Sequence, residues 1–128
     1  MTAGLSAANL ANKWLDMLAG TAFTAPAAFW VQLHIGDPGA AGTSNQSAVT
    51  TRKQVTWSAA SGGSKSQASA PSSWAMTTTE TITHVSFWDA SSAGNFLDSA
   101  ALSASRAVIN GDTVTLNTLT IAFTPIAA

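Results

Sequence analysis

The sequence predicts a mainly β protein, an antiparallel β-sandwich or small barrel with one N-terminal α-helix. Three observations lead there. Apolar residues near the start recur at helical spacing and stop at a glycine, after which the period changes to two. Thr, Val and Ile enrich the second half, where branched β-carbons suit a pleated surface. Turn residues then separate short alternating runs, the pattern of antiparallel all-β architectures. At 128 residues the chain reads as a single domain over 1–128, with short terminal arms.

The helix is expected over about residues 6–19. Ser6 suits the N-cap, its hydroxyl facing the orphan amides of the first turn. Leu10, Trp14, Met17 and Leu18 form an apolar stripe, and Asn9, Asn12, Lys13 and Asp16 fall largely on the other side. Gly20 supplies the stop. The β-sandwich or barrel is expected over about residues 27–124. Phe29, Val31, Leu33 and Ile35 take one face of its first strand and Trp30, Gln32 and His34 the other, before a turn at Gly36-Asp37-Pro38-Gly39. In residues 51–58, Val55 and Trp57 share a face. Residues 59–73, rich in Ser, Ala and Gly, read as a long loop of one sheet system.

Residues 80–89 alternate again, with Val85 and Phe87 opposed to Ile82, His84 and Trp88; residues 91–95 form a turn. Asn110-Gly111 is the strongest hairpin signal, since both residues tolerate the positive φ of a type I′ turn between runs at 106–109 and 113–116. Leu119, Ile121 and Phe123 close the pattern. The expected core is Leu10, Trp14, Leu18, Val31, Leu33, Val85, Phe87, Leu116, Ile121 and Phe123.

Composition narrows the function. Charged residues make up 9% of the chain, against roughly 25% in an average soluble domain. A net charge of -1 gives no electrostatic footprint for phosphate backbones, so nucleic acid is not an expected partner. No apolar run approaches the ~18 residues of a membrane span, and no signal peptide is expected, the start having no basic segment ahead of an apolar core. With no cysteine, disulfides, thiol catalysis and Cys-based zinc sites are excluded.

Chemistry finds little footing. His34 and His84 each have an aspartate nearby, Asp37 and Asp89, a pairing that suits a general base or a metal site. Neither belongs to a metal or nucleophile motif, and the aspartates sit beside turns, where Asp caps the chain. No catalytic residue, metal ligand or cofactor is expected. Of the five tryptophans, Trp14 and Trp57 fit core positions, whereas Trp30, Trp74 and Trp88 are harder to place. They are either a second buried face or exposed contacts, where an indole stacks on a sugar or anchors an interface. With Ile126 in the C-terminal arm they are the candidate interface residues. A surface so poor in charge suits a subunit covered by identical neighbours.

The residues also carry a resemblance. The run from Ala22 through Phe29-Trp30-Val31-Gln32-Leu33-His34-Ile35-Gly36-Asp37-Pro38-Gly39 resembles the opening of small tailed-bacteriophage structural proteins, which carry tail-fibre or head-decoration labels. The similarity continues through Val55-Thr56-Trp57-Ser58, Thr83-His84-Val85-Ser86-Phe87-Trp88-Asp89-Ala90, Gly94-Asn95-Phe96-Leu97 and Asn110-Gly111-Asp112-Thr113. An Ala- and Thr-rich composition looks like that of phages infecting actinobacteria. The resemblance implies a non-enzymatic virion protein. With no heptad run to build a shaft, head decoration is the leading expectation: a homo-oligomer on the major capsid protein, stabilising the particle by subunit contacts. The alternative is a tail or tail-fibre module that binds host-surface glycan through Trp30, Trp74 or Trp88.

Overall fold

The structure, a computed structural model, describes residues 3–123. Ser6 caps the helical segment as its position predicts, its Oγ accepting from the Asn9 N–H at 3.3 Å. The first turn, Ala7–Ala11, is wound as a π-helix, and a regular helix α1 follows over Asn12–Leu18. The apolar stripe divides at that junction. Leu10 is buried and Trp14 half-buried, but Met17 is exposed and Leu18 is 79% exposed. Leu18 is therefore not a core residue: the sheet meets the first turn only, and the later turns run past it. Gly20, at φ +87°, ends the segment.

Eight strands follow among the described residues: β1 (Phe29–His34), β2 (Lys53–Trp57), β3 (Ser64–Ser69), β4 (Trp74–Ala75), β5 (Glu80–Trp88), β6 (Phe96–Val108), β7 (Thr113–Val114) and β8 (Thr120–Ala122). Six form one antiparallel sheet in the order β6-β5-β1-β2-β3-β8, curled into a half-barrel, and β4 with β7 forms a second, small sheet. The fold is mainly β with one N-terminal helix, as the sequence predicts.

Paired residues of antiparallel strands share a face. The register Phe29↔Val55, Val31↔Phe87 and Leu33↔Val85 therefore gathers one apolar face. Trp74 and Met76 from the β4 segment, together with Ile82 and Val108, complete its buried core. Strict alternation puts Ile82 opposite Val85; a bulge between Ile82 and His84 resets the phase and turns Ile82 inward. Of the remaining expected core, Leu116 packs half-buried against this cluster and Ile121 is half-buried. Phe123 is 61% exposed, just beyond the end of the edge strand β8.

Two readings of the sequence change. The loop at 59–73 contains β3, a strand without apolar alternation. It is held by backbone pairing and by a ladder of hydroxyls, Thr56 Oγ1 to Ser69 Oγ at 3.0 Å and Ser66 Oγ to Thr120 Oγ1 at 3.2 Å. Asn110-Gly111 is not a type I′ hairpin turn, because only Gly111 takes positive φ, at +94°. The Asp112 N–H reaches the Ile109 carbonyl at 3.1 Å, a type II arrangement that sends β7 to β4 rather than back along β6. Residues 4–6 of the N-terminal arm lie on their own β6, with the Ser6 N–H on the Leu97 carbonyl at 2.7 Å and the Ser99 N–H on the Gly4 carbonyl at 3.0 Å. The C-terminal arm lies outside the described residues.

Candidate functional site

Two of the three tryptophans expected at an interface are inside. Trp74 is 1% exposed in the apolar core; its indole N–H donates to the Thr51 carbonyl at 2.8 Å, which satisfies the polar edge that burial would otherwise strand. Trp88 is buried on the opposite face of the sheet, with the Arg52 guanidinium carbon 3.7 Å from its ring centroid and Phe96 at 5.6 Å. Both are corrected from contacts to structural residues, since neither presents a ring to a ligand. Trp30 pairs with Trp88 across β1 and β5 and is half-buried. Ile126 lies outside the described residues.

That opposite face carries a buried polar layer. The register Gln32↔Ser86 and His34↔His84 brings it together from β1 and β5. His34 Nδ1 lies 2.8 Å from the Ser44 carbonyl. A carbonyl can only accept, so Nδ1 carries the proton. Nε2 is then an acceptor, and the Ser86 hydroxyl donates to it at 2.7 Å. The same hydroxyl accepts from the Trp88 indole N–H at 2.8 Å. Burial pushes the His34 pKa below its ordinary value; backbone contacts at Ser44 and Asn45 oppose this, and the charges of His84 and Arg52 add to it.

A serine on a histidine resembles a nucleophile and its base. Here both side chains are fully covered and the serine's hydrogen and lone pair are engaged within the fold, so the trio locks β1, β5 and the loop around Ser44 together. Arg52 performs a similar task nearby: its Nε donates to Gln32 Oε1 at 3.0 Å and its terminal nitrogen to the Ala90 and Ala93 carbonyls. The aspartates beside the histidines cap turns, Asp37 accepting from Gly39 and Asp89 from Asn95. His84 is half-buried, with Nδ1 2.8 Å from its neighbour's Thr83 hydroxyl.

A concave apolar surface with aromatic walls, a cleft of about 620 Å³, opens at one end of the half-barrel. Antiparallel order places the starts of β1, β3 and β6 and the ends of β2 and β8 at that end. The helical segment and the stretch before β1 flank it. Five aromatic rings line it: Trp14, Phe23, Phe29, Trp57 and Phe123. They stand largely in edge-to-face pairs, Trp14 with Phe123 and Phe29 with Trp57, each with centroids 5.2 Å apart. Phe29 also stacks on buried Phe87 at 5.1 Å, which anchors this wall to the core. Asp98 and Lys65 are the charged residues of the lining. An apolar hollow with a few polar groups at a barrel mouth is a common form of small-ligand site.

None of these cleft aromatics is among the interface residues expected from sequence. Trp14, Trp57 and Phe123 carry apolar periodicity and so read as core, and Phe23 sits in an Ala/Thr/Pro stretch without any period. What sets Trp14 and Trp57 apart from Trp74 and Trp88 is an indole N–H with no partner among the described residues, a property visible only in three dimensions.

Comparison with known proteins agrees with the phage resemblance. No curated protein matches the chain. Residues 5–124 match the model of a family described as podophage GP4 fiber I protein gp80. A fibre description supports the tail-fibre alternative better than head decoration. A chain without a heptad run can still belong to a fibre whose shaft other chains build. On a match covering nearly all of its length, the chain belongs to the podophage GP4 fiber I protein gp80 family and is a bacteriophage structural protein.

Proposed function

We propose that this protein is a non-enzymatic component of a phage tail fibre and that its aromatic cleft recognises a host-surface glycan. The observation that carries the reading is the cleft itself, with two half-buried tryptophans in its wall whose N–H groups have no partner among the described residues. Indole and phenyl faces stack on the C–H faces of sugars, and the few polar groups at the rim set orientation. Exposed Leu15, Met17 and Leu18 on α1, on a chain so poor in charge, suit contact with other virion proteins or copies of itself. The actinobacterial host implied by composition belongs to the same proposal.

Binding to an array of bacterial envelope glycans tests it. The expected result is saturable binding that Trp57→Ala weakens at least tenfold while the circular dichroism spectrum is unchanged. Absence of binding to every envelope glycan, or undiminished binding by Trp57→Ala, overturns the assignment.

A further inference from the structure

Resting on the glycan reading, the charge pattern of the cleft narrows its ligand. We propose that the cleft selects sugars bearing a free amino group, holding the ammonium against Asp98 while the ring stacks on the aromatic walls. Asp98 pairs in register with Phe87, so it lies on the same sheet face as the Phe29–Phe87 stack that forms one wall. Among the described residues it is the only carboxylate of the lining. Among the described residues its sole hydrogen bond is accepted from the Ser99 N–H, at 2.7 Å, and no basic side chain pairs with it.

A largely covered carboxylate with no cation nearby is unusual, because removal from water raises its energy unless a positive partner restores it. Its pKa is raised by burial, with the Ser99 N–H opposing, which is the signature of an acid short of such a partner. Aromatic faces add in the same direction, since their negative π surfaces attract ammonium groups. The other charge of the lining is Lys65, on β3, four strands from Asp98 on β6 in the sheet order, and the two form no ion pair. The Asp98 end of the cleft therefore offers a ligand a carboxylate with no ion-pair partner among the described residues.

The test compares a β-1,4-linked glucosamine trisaccharide with its N-acetylated counterpart by titration calorimetry near neutral pH, on the wild-type chain, Asp98→Asn and Trp57→Ala. The expected result is at least tenfold tighter binding of the amino form. Asp98→Asn removes that preference but keeps residual affinity, and Trp57→Ala weakens both sugars. Equal binding of the two sugars, or a preference that survives in Asp98→Asn, overturns the ammonium assignment. If Trp57→Ala still weakens both sugars in that case, the glycan reading stands. Failure of both trisaccharides to bind overturns the ammonium proposal for this sugar class; the envelope-glycan array then decides the broader reading independently.

Discussion

The sharpest test of the buried polar layer is Ser86→Ala. One hydroxyl serves two partners there, donating to His34 Nε2 at 2.7 Å and accepting from the Trp88 indole at 2.8 Å. Serine and alanine differ little in volume, so the substitution leaves almost no cavity, and lost packing contributes little. What remains is two polar atoms without partners, on residues that are 0% and 5% exposed. A buried group left unsatisfied costs about 1–3 kcal/mol, so the pair predicts a loss of about 2–6 kcal/mol. That is a large share of the roughly 5–15 kcal/mol that holds a typical domain folded. Urea unfolding followed by tryptophan fluorescence measures it as a lower midpoint at unchanged slope. A cycle with Trp88→Phe adds a second check: once the indole N–H is gone, Ser86→Ala strands one atom instead of two and costs about 1–3 kcal/mol less. A loss below about 1 kcal/mol in the single variant would show that the hydroxyl is not the joint described here.

The same layer makes stability depend on pH. Unfolded histidine titrates near 6.5, and burial holds folded His34 below that, so between the two values the unfolded chain binds more protons. The His34 contribution is fully present above about pH 6.5 and is lost as pH falls from there through the folded pKa. Unfolding at pH 8 and pH 5 reveals it as a steeper loss in the wild type than in His34→Gln; equal slopes would refute it. On the helical segment, Leu10→Ala removes a buried side chain and is expected to cost about 2–5 kcal/mol, whereas Leu18→Ala, at a 79% exposed position, stays within about 0.5 kcal/mol. Thermal unfolding that ranks the two the other way would contradict the placement of the helix.

Much of the framework is written locally. The cap at Ser6, the stop at Gly20, the alternation of β1 and β5 and the turn-capping aspartates follow from short-range chemistry, so they are legible in the chain itself. β3 is not, because its stability comes from hydrogen bonds to two neighbours and not from an apolar period. Most of the thirteen residues of β6 are hidden for the same reason, in an Ala- and Ser-rich run.

The sequence by itself determined the β-rich class, the N-terminal helix, the scarcity of charge and the phage likeness, since composition and periodicity are properties of neighbours along the chain. Only the tertiary structure decided which tryptophans are core and which line a cleft. Trp74 and Trp88 find hydrogen-bond acceptors at Thr51 and Ser86, so they can be enclosed; Trp14 and Trp57 find none among the described residues and stand at the barrel mouth. For Trp74 that acceptor lies 23 residues away in the chain, ahead of β2, and only folding brings it to the indole; for Trp88 it is Ser86, two residues back on β5.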